Sequence, residues 1–447
     1  MRPVHAGLIV LFAVACGDAD LAPTSETGDP SNTSTTTTST TTTDPTTTDP
    51  TAGDDTGAPP PVCLPDSPGG TFLNWKRSGD ELPGFIGAVA SNAAADTIVV
   101  GTIKHPDAPG DSYLQLYDAS GDPLWSDIYA GTHGLEDQAL DVAVDGAGFI
   151  NVLVKERVQE VVTWNFTSTD DRLVILRYAP DGRHMWRWER EREPVVPGGY
   201  YDPTGRLGIA DDGRILLLES SYEEPTVLIA LDSAGNLLTQ SLLATPADVT
   251  ADQRAIGPDG SVYLAGNIED GIGGHPMWIA RFAADGSLAW SETFGTPKQD
   301  AALALTAGRD GEVYLAHTAN MPGHTDYVLR RHDPDGALAW TAILPLTDTY
   351  APTVPGSDLH CDGSPLLAGG IGRLQGPDDA WPGKNLWAAR YQADGAPTWT
   401  FEQVFDLPVI ESEASRIAGA ADGDVIVAGS YLFGEVDVPW LGRLAGG

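Results

Sequence analysis

From about Gly69 to Gly447 the chain repeats one pattern of apolar runs and turns, with a period of roughly 50 to 60 residues. Two turn signals alternate. In the first, a short apolar run meets an Asp-Gly type turn, followed by a β-rich run that often ends in Ala-Gly. It occurs around Asp96, then at Val144-Asp145-Gly146, Asp212-Gly213, Asp259-Gly260, Asp310-Gly311, Asp362-Gly363 and Asp422-Gly423, seven copies in all. In the second signal an apolar strand runs into a Gly turn, with a Trp four residues after the Gly. The pairs are Gly121 with Trp125, Gly182 with Trp186, Gly286 with Trp290, Gly336 with Trp340 and Gly395 with Trp399. A sixth copy, Leu231 to Gly235, has Thr239 in place of Trp.

The seventh copy is split. The chain ends Trp440-Leu441-Gly442-Arg443-Leu444-Ala445-Gly446-Gly447, a third strand that stops at its turn. The missing fourth strand stands at the start of the repeats, as Thr71-Phe72-Leu73-Asn74-Trp75. An N-terminal strand that completes the last unit closes a ring and removes exposed sheet edges. The expected fold is therefore all-β: a single seven-bladed β-propeller of four-stranded antiparallel blades, the last closed by the N-terminal strand. In blade four the strand cores would be Ala255-Ile256, Val262-Tyr263-Leu264, Trp278-Ile279-Ala280 and Leu288-Ala289-Trp290. Asp-Gly turns predict two-residue type I′ hairpins, because both residues accept a positive φ. The recurring Trp is most simply packing between blades.

The Asp-Gly-x-x-x-Trp unit resembles bacterial propeller repeats of the SBBP type and, more distantly, those of quinoprotein (PQQ) propellers. The resemblance covers about 380 residues and speaks to fold, since propellers host many activities. Quinoprotein dehydrogenases usually have eight blades and a vicinal Cys pair. Here seven blades are expected and no cysteines are adjacent, so no cofactor is expected.

The first 62 residues follow a different pattern. Arg2 precedes an apolar run from Ala6 to Ala15, too short to span a bilayer as a helix and of the length of a signal-peptide core. It ends in Ala13-Val14-Ala15-Cys16-Gly17, which resembles the bacterial lipobox, with Ala13 where Leu is usual. That resemblance implies a signal peptide over residues 1–15, diacylglycerol on Cys16 and a membrane anchor, with Gly17 pointing to the outer membrane. An ordinary cleaved signal peptide is the alternative. Residues 16–62 are rich in Thr, Pro and Asp, with almost no large apolar side chains, and read as a disordered stalk. The propeller would occupy residues 63–447 and is expected to be a monomer.

Charge narrows the functional classes. With 63 acidic and 25 basic residues the formal net charge is −38, a field that repels phosphate backbones, so nucleic-acid binding is not expected. Of the three cysteines, Cys63 and Cys361 remain after Cys16, and they would meet on one face near the ring closure. They form either a disulfide, which an oxidising compartment permits, or two unpaired thiols. The nine histidines show no metal spacing. His105, His275, His317 and His324 fall in predicted loops between second and third strands, but no metal is expected. Asp333-Pro334-Asp335-Gly336 lacks the further oxygen ligands of a calcium loop, and no nucleophile elbow or phosphate-cradling Gly loop occurs. No catalytic residue is therefore assigned.

The irregular loops are the better guide to recognition. They are Val158 to Asp171 with Trp164 and Phe166, Arg187 to Asp202 with Tyr200 and Tyr201, and Ile371 to Lys384 with Trp381. Exposed aromatics on a rigid scaffold suit a protein or glycan ligand; local packing over the rim is the alternative. The leading expectation is an envelope lipoprotein presenting a binding module rather than an enzyme. An envelope hydrolase or quinoprotein-like oxidoreductase, or a purely structural protein, stays open.

Overall fold

The computed structural model describes residues 73–445, except 83, 106–107, 163–166, 191–200, 222–223, 247, 269–274, 297–299, 347–349, 374–382, 406–408 and 434. Among the described residues, twenty-eight strands form seven four-stranded antiparallel blades arranged as a ring. The strand closest to the axis opens each blade: Phe85–Ser91, Asp137–Val144, Thr204–Ile209, Val249–Ile256, Ala302–Ala307, Tyr350–Leu359 and Val409–Gly419 for blades one to seven. Blades six and seven are joined by a parallel bridge between Lys384 and Glu411. In blade seven the N-terminal strand, Leu73–Ser78, pairs antiparallel with the C-terminal strand, Val436–Leu444, in the register Lys76–Gly442 and Ser78–Trp440. The sequence expectation of a ring closed by its own N-terminus is met. The four strand cores expected in blade four also fall inside its strands.

Apolar alternation along each strand buries one face against the preceding blade and the other against the next. Seven hydrophobic clusters result, one at each blade interface. The cluster that closes the ring brings Val89 and Val99 of blade one against Ile426 and Leu441 of blade seven. The repeated Trp belongs to these interfaces. Its indole lies against the turn glycine of the next blade and donates to a turn carbonyl there. Trp75 donates to Ala119 O at 3.1 Å, Trp125 to Pro180 O at 3.1 Å, Trp186 to Ser233 O at 3.2 Å and Trp290 to Pro334 O at 3.0 Å. Trp340 donates to Ala393 O at 2.6 Å. Trp399 breaks the series: the fourth strand of blade seven is the N-terminal strand, and the Trp399 Nε1 is buried without a partner among the described residues.

The turns correct one expectation. In Asp118–Asp122 the Gly121 N–H donates to Asp118 O and the Asp118 N–H to Asp122 O, both at 2.9 Å. Only the glycine has positive φ, +87°, and Leu124 is bulged past the pairing of Tyr117 with Pro123. This is a type I turn closed by a glycine bulge, in which Asp keeps a negative φ and uses its carboxylate to cap the turn. Asp118 Oδ1, for example, accepts from the Ser120 and Asp122 N–H groups at 2.8 and 2.9 Å. In blade two the left-handed residue is Gly148, not the expected Gly146; in blade one Ala95 takes that position at φ +63°.

The recurring Ala-Gly has a separate cause. The inner strands of six blades carry a β-bulge, blade three being the exception among them. In blades four, six and seven the inner strand's carbonyl lies under 2 Å from where a Cβ on Gly266, Gly369 or Gly429 would stand. Only glycine fits there.

Candidate functional site

The registers place the start of each inner strand beside the end of the second, as in Val249 with Ile268. Blade-to-blade connections and second-to-third-strand loops therefore share one face, and the Asp-Gly turns share the other. The inner strands line the axis. Asp141, Arg206 and Arg416 stand at the same level, each four residues before the residue that opens its blade's first turn, Asp145, Ala210 or Ala420. Arg254 and Asp358 come from the inner strands of blades four and six.

These five charged residues form a cluster in the lumen. Arg206 is its hub. Its side chain is 41% exposed although it sits on an innermost strand, and its Nη1 lies 3.5 Å from Asp141 Oδ1. It bears electrostatically on Arg254 of blade four, Arg416 of blade seven and Asp358 of blade six. A side chain of blade three that senses blades six and seven projects into the lumen. Burial, reinforced by Arg206, lowers the affinity of the Arg254 and Arg416 guanidiniums for their protons. Burial pushes the Asp358 carboxyl up to about 6 against the pull of the Leu359 and Gly419 N–H groups. Even so, Asp358 and both arginines keep part of their surface open to solvent, and Asp252 beside Arg254 is exposed.

A second polar assembly lies at the connection from blade one to blade two. Glu156 is fully buried, and its two oxygens accept from the Thr132 N–H at 2.9 Å, Thr132 Oγ1 at 2.8 Å and Arg187 Nη2 at 2.6 Å. Burial works to raise its pKa, but these donors prevail and hold it at about 2. Asp137, also buried, accepts from the Gly131 N–H and is pushed by burial up to about 6. Two carboxyls with separated pKa values can mark an acid–base pair. Both are sealed from solvent, however, and both hold the connecting chain. Asp300 does the same in blade five, accepting from the Thr296 N–H at 2.7 Å and Thr296 Oγ1 at 2.9 Å. The spacing Gly131-Thr132 to Asp137, echoed by Gly295-Thr296 to Asp300, was a readable repeat signal that the turn pattern masked.

A further repeated tie runs from the third strand to the first turn. Arg177 meets Asp145 at 2.6 Å and Arg281 meets Asp259 at 2.6 Å, while Arg390 pairs with Asp362 and Arg443 with Asp422. The turn aspartates thus serve as ion-pair partners as well as turn formers.

Of the residues singled out in the sequence, Cys16, Cys63, Trp164, Phe166, Tyr200 and Trp381 lie outside the described residues. Cys361 is buried in the first turn of blade six and is disulfide-bonded. Tyr201, expected on an exposed loop, is buried. Its hydroxyl donates to Glu219 Oε1 at 2.6 Å and its backbone pairs with blade two. The segment from Val158 to Asp171 is largely a lengthened hairpin, Ile150–Val162 with Thr167–Tyr178, so it adds strand where loop was expected. His317 is in a strand and not a loop, because blade five joins its second and third strands through the tight turn Met321–His324. The four histidines do not converge: His105 pairs with Asp111 at 2.9 Å and His324 with Asp326 at 3.5 Å. Among the described residues no three His, Cys, Asp or Glu side chains are grouped to hold a metal, and no helix is long and apolar enough to cross a membrane.

The molecule thus belongs, by architecture, to the seven-bladed propellers with a charged lumen. No protein-family model matches the chain, and no curated protein matches it in sequence. Solved structures similar to it include a Bacteroides caccae protein of unknown function, 12% identical, with a TM-score of 0.39 over 71% of this chain and 97% of that one. A protein of unknown function from Dyadobacter fermentans is 11% identical, with a TM-score of 0.44 over 86% of this chain and 98% of that one. A puromycin hydrolase mutant is 16% identical, with a TM-score of 0.44 over 78% of this chain and 50% of that one.

Proposed function

We propose that this chain is an outer-membrane lipoprotein, held through acylated Cys16, whose propeller of SBBP-like repeats serves as a binding module for a protein or glycan. The observation that carries the binding role is the lumen. Arg206, Arg254 and Arg416 bring three guanidiniums to the innermost strands, and the Arg206 side chain is 41% exposed there. The buried charges of the outer strands, by contrast, are spent on ties between strands and turns. A rigid ring loses little conformational entropy on association, which favours recognition.

Two experiments test the parts separately. Metabolic labelling with a radioactive fatty acid is expected to mark the wild-type protein and not Cys16→Ala; equal labelling of both would remove the anchor. For the binding role, the protein is screened against immobilised glycans and envelope proteins. A saturable ligand is expected, released by substitutions in the lumen or by Trp164→Ala with Trp381→Ala. Turnover of a bound ligand, abolished by one carboxylate substitution, would replace the binding role with an enzymatic one.

A further inference from the structure

We propose that Arg206, Arg254 and Arg416 form an oxyanion-binding site in the lumen, taking a carboxylate or phosphate group of the ligand. This rests on the reading of the propeller as a binding module and names the chemistry of its site. The three guanidiniums come from the inner strands of blades three, four and seven.

Arg206 meets Asp141 at 3.5 Å, but the other two guanidiniums are differently placed. Acidic residues outnumber basic ones 63 to 25, so carboxylates are abundant. The arginines of the outer strands find them, as Arg177 and Arg281 do. In the lumen, Arg254 donates to Thr204 Oγ1 at 3.0 Å and to Ala251 O at 3.4 Å, and its Nε is buried without a partner among the described residues. Arg416 donates to the carbonyls of Gly87 and Ser415. Neither forms an ion pair with a carboxylate among the described residues.

The nearby acids also bind backbone N–H groups, and Asp141 stands 3.5 Å from Arg206 as well. Asp141 accepts from the Leu207 N–H at 2.9 Å and the Val142 N–H at 3.0 Å, stitching blade two to blade three. Asp358 accepts from the Gly419 N–H at 3.1 Å, stitching blade six to blade seven. Asp252 faces solvent on the strand of Arg254 and moderates its charge without occupying its fork. Like charges whose one close carboxylate among the described residues is Asp141, at Arg206, and whose other acceptors are neutral oxygens are held at an electrostatic cost. An oxyanion between them relieves that repulsion and fills the guanidinium donors in bidentate geometry, for which Arg is better suited than Lys.

The test is calorimetric titration of the full chain at low ionic strength with inorganic phosphate, with galacturonate and, as the neutral control, with glucose. Saturable binding of phosphate or galacturonate is expected, weakened about tenfold or more in Arg206→Gln and in Arg254→Gln. It should be unchanged in the exposed-surface control Lys76→Gln, and melting curves establish that each variant is folded. Should a Gln variant not fold, Arg206→Lys keeps the charge and loses the fork, and is expected to bind more weakly than wild type. Binding of phosphate alone would assign a phosphate-bearing ligand, and of galacturonate alone a carboxylated sugar. No saturable anion binding by the wild type, or equal binding by wild type and arginine variants, would overturn the site. Glucose binding as tight as galacturonate would also overturn it, yet leave the binding module standing.

Discussion

His317 shows how far the interior of a blade can depart from its solvent-facing relatives. It is 5% exposed, its Nδ1 lies 2.9 Å from Thr318 O, and its Nε2 has no partner among the described residues. Burial pushes its pKa down to about 4, and the Arg330 guanidinium nearby adds to the effect. The folded chain therefore binds fewer protons here than the unfolded one between pH 6.5 and 4. The stability at stake is intact above pH 6.5 and is lost as pH falls through about 4, to a limit of about 3 kcal/mol. Asp137 and Asp358, raised by burial to about 6, act with the opposite sign over much of the same range, gaining stability as pH falls. The informative quantity is thus the difference between His317→Gln and wild type in urea midpoint from pH 7 to pH 4. The variant is expected to lose less stability on acidification; parallel pH curves would show that His317 is not held neutral.

At the scale of the strand and its turn, the Trp–glycine contact makes two comparisons. Gly336 has φ +89°, and a Cβ there would come within 2.8 Å of the Trp290 ring; Gly213 has φ +81° with nothing in reach. Both positions disfavour alanine by about 1 kcal/mol through the backbone alone. Gly336→Ala is expected to cost about 2 kcal/mol more, because the indole must move. Equal losses in chemical denaturation would mean that the Trp does not set the blade spacing. Likewise Trp290→Phe gives up the 3.0 Å bond to Pro334 O and should cost about 1 kcal/mol more than Trp399→Phe, whose indole N–H has no partner among the described residues. The strands, the two turn classes and the interblade Trp were legible because each recurs at fixed spacing. The turn type was not, since Asp-Gly serves a type I′ hairpin and a glycine-bulged type I turn equally well. Nor was the lumen: Asp141, Arg206 and Arg416 share a level counted back from their turns, but the turn pattern does not mark which inner-strand residues face the axis. Tyr201 was misplaced because an aromatic after Pro-Gly-Gly looks the same in sequence whether it caps a blade or faces a ligand.

For the whole molecule, closure is the property on which the lumen depends. The strand Leu73–Ser78 covers what would otherwise be an open sheet edge along Trp440–Leu444. It also carries Trp75, the start of the series of indole contacts around the ring. Removing residues 1–78 is expected to lower the melting temperature by roughly 10 °C or more and to promote self-association through the exposed edge, whereas removing residues 1–62 should do neither. Identical melting of the two truncations would show that the ring does not need its clasp. The central claim, that a closed ring takes its ligand in the lumen, is tested most directly by amide hydrogen exchange with and without the ligand that the binding screen selects. Added protection is predicted in the inner strands Thr204–Ile209, Val249–Ile256 and Val409–Gly419. Protection confined to the outermost strands, such as Pro123–Tyr129 and Leu288–Phe294, would place the ligand on the rim and contradict the claim.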